Sequence, residues 1–134
     1  MIVRKLQNAV HEGRLIRSQG WESNRLLLKK DGAGFSFHIT RIFAGAELFM
    51  HYQHHIESVY CISGSGEIED IAKGVMYPIS PGTLYVLNDH DKHILRAFDE
   101  LQLACVFNPP LSGTETHNAE GAFEINDSAY ELTT

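Results

Sequence analysis

The stretch Gly34–Gly64, GFSFHITRIFAGAELFMHYQHHIESVYCISG, decides the fold. Phe35, Phe37 and Ile39 alternate with Ser36, His38 and Thr40, the period-2 signature of a strand with one apolar and one polar face. Tyr60-Cys61-Ile62 runs into Gly64-Ser65-Gly66 before Glu67-Ile68-Glu69 departs, which predicts a hairpin about a glycine-permitted turn. Working outward, Leu84–Leu87 and Ile94–Arg96 flank the polar loop Asn88–Lys92, and Leu101–Phe107 is a further strand that Pro109-Pro110 stops. Turn residues recur at Asp31-Gly32, Gly45, Gly64, Gly74 and Pro81-Gly82, a rhythm of sandwiches and barrels rather than βαβ units. Asn8–Arg14 is expected as a short helix. The predicted fold class is all-β: one jelly-roll β-barrel with one or two short helices and a ligand site in its mouth.

At 134 residues the chain suits a single domain that buries about two-thirds of its unfolded surface. The barrel is expected over residues 1–121, with 108–121 as a lid segment across its mouth and 122–134 as an acidic tail. No apolar run approaches the roughly 20 residues that span a bilayer, and MIVRKLQNAV is too polar for the apolar core of a secretion signal. Cys61 and Cys105 lie in separate strand-like runs and form no disulfide framework, so a reducing cytoplasm is the expected location. The net charge is −6, and residues 97–134 hold seven acids with no Lys or Arg. Such a chain has no basic patch for nucleic acid or anionic membrane, and a small molecule is the expected partner.

The deciding stretch also carries a frame of spaced residues: Gly45-x5-His51-x-Gln53-x3-Glu57-x6-Gly64, followed by Pro81-Gly82-x2-Tyr85. This resembles the two-part metal motif of the cupins, in which two histidines and a glutamate on one segment meet a histidine on another. Gln53 replaces the second histidine and Tyr85 the last, so the frame is kept while the ligands change. Gly34–Arg41, Ser58–Gly64 and Leu103–Leu111 (the last reading LACVFNPPL) further resemble the ectoine synthase family, as does the opening Met1-Ile-Val-Arg4. The match runs in register from Met1 to about Gly121.

That resemblance implies a metal-dependent hydro-lyase, a carbon–oxygen lyase closing N-γ-acetyl-L-2,4-diaminobutyrate to ectoine with loss of water, in compatible-solute synthesis under osmotic stress. It implies Glu57, Tyr85 and His93 as ligands of iron, expected as Fe2+. A carboxylate, a phenolate and an imidazole also tolerate other divalent transition metals. Taken singly, Tyr85 reads as an ordinary strand tyrosine and His93 as a loop histidine. His51 holds the first histidine position of the cupin frame, but without its partner it reads equally as a satisfied structural histidine.

The family's pocket maps onto Trp21, Arg25, Thr40, Cys105 and Phe107 for substrate binding and onto Tyr52, Glu115, His117 and His55 for catalysis, His55 serving from the site wall. Ring closure asks for a free amine, a polarised acetamide and a curled chain. Arg25 suits the α-carboxylate, and Glu115 with His117 suits proton transfer. Cys105 shares a strand face with Leu101, Leu103 and Phe107 and reads as a buried, unreactive thiol. The resemblance further implies a homodimer. Two rivals fit the cupin frame: an oxidative non-haem iron enzyme, which the broken histidine pair disfavours, and a non-catalytic cupin that binds a small ligand.

Overall fold

The computed structural model describes residues 1–113. Among these, ten strands form two antiparallel sheets. The larger sheet has the order β1 (Leu15–Ser18), β2 (Trp21–Leu27), β3 (Ser36–Ile42), β10 (Leu101–Asn108), β5 (Ile56–Ser63) and β8 (Leu84–Leu87). The smaller runs β4 (Glu47–His51), β9 (Lys92–Ala97), β6 (Gly66–Asp70) and β7 (Val75–Ile79). After β1–β3, which lie together in the larger sheet, the chain passes back and forth between the sheets, with β6 and β7 paired in the smaller one, as a jelly roll does. The core forms where the two inner faces meet: Ile42, Val59, Cys61, Leu101 and Leu103 from the larger sheet against Met50, Ile68, Ile79 and Leu95 from the smaller.

Two local expectations are corrected. The link Gly64-Ser65-Gly66 is not a hairpin, because β5 and β6 belong to different sheets and the link carries the chain across the core. The reason is close backbone approach. A Cβ at Gly64 would overlap the Glu100 carbonyl oxygen, and one at Gly66 would overlap the Arg96 carbonyl oxygen. Both glycines therefore serve contact between backbones rather than a two-residue turn. The expected helix at Asn8–Arg14 is replaced by a 3-10 turn at Leu6–Asn8 followed by turns to Gly13, held by Glu12 N–H to Asn8 O (3.1 Å) and Arg14 N–H to Ala9 O (2.8 Å). Of the apolar side chains in this segment only that of Ala9 is buried, so a helix would have no apolar face to dock. A second short 3-10 turn covers Lys29–Asp31.

Strand β3 shows the predicted alternation with its polar side facing inward. Ser36 and His38 are buried and Thr40 lines the interior, while Phe37 and Ile39 sit on the outer side. A polar inner face on a central strand needs partners or a ligand, since buried polar groups are costly unsatisfied.

The N-terminal segment is tied to the barrel by Asp31. Its carboxylate accepts from Arg4 Nη2 (2.8 Å), Arg14 Nη1 (3.1 Å) and the Leu28 amide (2.9 Å). Burial raises the Asp31 carboxyl, but the Leu28 amide together with Arg14 and Arg4 outweighs it and holds the group below the usual 3.8. Because the folded value is depressed, this stabilisation is present above the unfolded value and is lost as pH falls through the folded one. Asp31→Asn should lower the urea-unfolding stability at pH 7 by about 2 kcal/mol, as expected for charged hydrogen bonds. The gap from the wild type should close as the pH is taken below 3.8.

Candidate active site

A cavity opens between the sheets, and its wall is built by register. On β10, Cys105 stands opposite His38 of β3 and Val59 of β5, and Phe107 stands opposite Ser36 and Glu57. Arg25 of β2 pairs with His38. Val59 pairs with Tyr85 of β8, which places Tyr85 on the same inner face as Glu57. The cavity is therefore lined by Trp21, Arg25, His38, Thr40, Glu57, Tyr85, Cys105 and Phe107 from the larger sheet. Met50 and Tyr52, at the end of β4 and just beyond it, close it from the other side.

Eight of the residues expected at the site share this cavity: Trp21, Arg25, Thr40, Tyr52, Glu57, Tyr85, Cys105 and Phe107. His93, on β9 and 1 % exposed, lines an adjoining groove whose wall also contains Tyr85. Its ring lies 5.5 Å from that of Tyr52. His93 Nδ1 donates to the Asp91 carbonyl (2.9 Å), since a carbonyl can only accept. That fixes the tautomer and leaves Nε2 as a buried lone pair with no hydrogen-bond partner among the described residues. A buried imidazole oriented by a backbone carbonyl, with its other nitrogen bare, has the form of a metal-ligating histidine. Among the described residues no three His, Cys, Asp or Glu side chains are placed to hold a metal. A set of Glu57, Tyr85 and His93 takes its third donor from a phenol, and this donor chemistry fits a first-row transition metal.

The electrostatics of the cavity favour a cation. Burial pushes the Glu57 carboxyl up to about 8, with the Cys105 thiol pulling slightly the other way. Burial, then the Glu57 charge, raises Tyr85 and Tyr52 well above the ordinary phenol value. Cys105 is raised by the same two causes, which agrees with an unreactive thiol; its Sγ lies 3.8 Å from Thr40 Oγ1. Burial opposes ionisation of each of these acids and the Glu57 charge opposes that of the other three, and a bound cation would relieve all of them at once.

Arg25 is fully buried and donates through Nη1 to the Gly113 carbonyl (3.0 Å), so it is no surface arginine. The segment after β10 is pinned back on the barrel: Leu111 N–H donates to Ser36 Oγ (3.2 Å), and the Leu111 carbonyl accepts from the Lys29 amide (2.9 Å). The first part of the expected lid thus lies against the barrel. The remainder, with Glu115 and His117, falls outside the described residues, as does the tail 122–134.

A family model described as ectoine synthase matches residues 1–127. The chain belongs to the ectoine synthase family. An L-ectoine synthase of Teredinibacter turnerae is 61 % identical over 131 residues, covering 96 % of this chain and 99 % of the relative. The crystal structure of an ectoine synthase from P. lautus superposes with a TM-score of 0.80 at 50 % identity, covering 83 % of this chain and 80 % of that one. An RmlC-like cupin from Shewanella frigidimarina shares the fold alone, at 18 % identity and a TM-score of 0.60 over 71 % of this chain and 82 % of that one. Membership of the ectoine synthase family makes the chain an enzyme, a carbon–oxygen hydro-lyase whose function is ectoine synthesis.

Within this ectoine synthase scaffold, other expected residues take supporting or distant places. His55 packs its ring edge-on against Phe107 (5.9 Å) and donates from Nδ1 to the Pro109 carbonyl (2.9 Å), buttressing the cavity wall from behind. His51 lies between Met50 and Tyr52 and therefore points away from the cavity, 3.3 Å from the exposed Gln53 amide. Sequence reasoning missed Ser23, His38 and Met50. His38 is buried, and burial with Arg25 and His55 nearby holds its pKa well below 6.5, so it is neutral; its Nε2 has no partner among the described residues. The signal for His38 was its shared parity with Thr40, and for Met50 its shared parity with Tyr52.

Proposed function

We propose that the chain binds N-γ-acetyl-L-2,4-diaminobutyrate in this cavity and closes it to ectoine with loss of water, using Fe2+ held by Glu57, Tyr85 and His93. The observation that carries the metal part is the bare, buried Nε2 of His93, fixed in its tautomer by Asp91. Bound there, the metal would supply Lewis-acid polarisation of the acetamide carbonyl. The chain's own residues do the rest. Arg25 takes the α-carboxylate with its guanidinium, and Thr40 offers a hydroxyl to the curled substrate. Trp21 and Phe107 exclude water, which strengthens each polar contact in the cavity. Tyr52, held protonated, donates to the acetamide oxygen, while Glu115 and His117 handle the amine protons.

The setting proposed with this chemistry is the cytoplasm, where ectoine accumulates as a compatible solute under osmotic stress. A homodimer is part of the same reading. The outer side of the larger sheet presents Phe37, Ile39, Tyr60, Ile62, Leu84 and Val86 as an apolar surface across neighbouring strands. An apolar patch of that extent suits a second copy of the chain better than water.

Three outcomes are expected. Proton NMR of the iron-loaded protein with N-γ-acetyl-2,4-diaminobutyrate should show ectoine, while Glu57→Ala and Tyr85→Ala lose bound iron and product together; a metal-free variant with full turnover would refute the ligand assignment. Arg25→Gln should lower kcat/KM about 10- to 100-fold, chiefly through KM, as loss of a charged bidentate pair requires. Val86→Arg should shift light scattering from twice the 15.1 kDa chain mass to one chain mass, with the fold intact by circular dichroism.

A further inference from the structure

The three side chains read as metal ligands do not line a single space. Glu57 and Tyr85 line the substrate cavity, whereas Tyr85 again and His93 line a second groove of about 450 Å³. That groove runs between β8, the edge strand of the larger sheet, and the paired strands β6 and β7 of the smaller one. Its lining sets the carboxylates of Asp70, Asp89 and Asp91 against the ammonium of Lys73. Asp70 stands opposite His93 in the β6–β9 pairing, so their side chains share a face. Asp91 orients the His93 ring through its backbone carbonyl. Burial lowers the pKa of His93, and the Asp91 and Asp70 charges act the other way, so the field of both carboxylates reaches the ring. Asp70 and Asp91 are half-buried, while Asp89 and Lys73 are exposed towards solvent. The substrate cavity offers a cation the opposite surroundings. Its lining includes the fully buried Arg25 guanidinium together with Trp21, Met50 and Phe107. A hydrated dication passing that way meets a like charge and walls that cannot replace its water.

We propose that this groove is the metal's own inlet, in which Asp70, Asp89 and Asp91 draw a hydrated divalent cation from solvent to Tyr85 and His93, while the substrate uses the cavity. The three carboxylates are not a binding site in themselves: among the described residues no three acidic, imidazole or thiol groups are placed to hold a metal. They act at range. A cleft of one sign with low-dielectric walls concentrates counter-ions and raises their rate of capture. Capture by such a field weakens with added salt. Separate routes also let the metal reach its ligands while the cavity is filled. This rests on the reading of Glu57, Tyr85 and His93 as the ligand set.

Stopped-flow absorbance of Co2+ coordination by the chelator-stripped protein tests the inlet without any turnover. In the doubly substituted Asp70→Asn, Asp89→Asn protein, the slope of uptake rate against Co2+ concentration should fall about three- to tenfold at low ionic strength. Lys73→Glu should raise that slope by a similar factor. Both differences should shrink below about twofold in roughly 1 M salt, where the Debye length is about 3 Å. Cobalt bound at saturation should match the wild type in each variant, because the ligands are untouched. Glu12→Gln removes one negative charge from the N-terminal segment, away from the groove, and should leave the slope as it is. Equal slopes in all the proteins would overturn the inlet, and so would a fall in Glu12→Gln as large as that in the double variant, since net charge would then explain the effect. A wild type that coordinates no Co2+ refutes the ligand set itself, and the inlet with it; unchanged slopes with full cobalt binding refute the inlet alone.

Discussion

Strand β10 is the constraint on which the site depends. It lies between β3 and β5 in the larger sheet, and its inward residues bring His38, Glu57 and their neighbours side by side. A slip of one residue in either pairing would turn Cys105 and Phe107 outward and break the cavity wall, since successive strand side chains face opposite ways. Leu101 and Leu103 hold the register from within, both 2 % exposed or less. The Pro109-Pro110 pair then ends the strand, and Leu111 anchors the chain that follows against Ser36. The apolar end of β10 secures the fold and the other end furnishes the site.

A second theme is the concentration of acids where water is scarce. Glu57, Tyr85, Tyr52 and Cys105 all sit in one desolvated space; burial raises all four, and the Glu57 charge makes ionisation of the other three harder still. Arg25 opposes this for Tyr52, but its guanidinium is also directed at Gly113. A chain stabilised only by packing would gain by replacing such groups with aliphatic ones. Their presence is the signature of a site arranged for a charged or strongly polar occupant. The neutral His38 and the lone pair of His93 fit the same description from the nitrogen side.

Much of this was legible in the sequence. Short alternating runs with regular glycines and prolines gave away an all-β barrel, and eight of the residues read by family likeness share one cavity, with His93 in the adjoining groove. What failed was local. The glycines around Ser65 look the same whether they turn a hairpin or let two backbones touch, and only the tertiary structure distinguishes these. The Asn8–Arg14 segment has helix-forming residues but no apolar side chain beyond Ala9 that docks, a shortage that propensity does not record. His38 was overlooked because a polar strand face is normally assigned to water, whereas here it lines the interior. Met50 was hidden beside the more conspicuous His51.

The crossing at Gly64 and Gly66 bears on how this scaffold can be re-engineered. Where two main chains touch with no space for even a methyl group, neither residue type nor segment length has room to vary, and the seam between the sheets acts as a fixed spine. The β6–β7 turn is different: a methyl on Gly74 would meet nothing within 4 Å. Inserted loops, affinity handles or grafted peptides belong at that outer tip, and attempts to widen the cavity by loosening the spine would sacrifice the barrel before changing what it accepts.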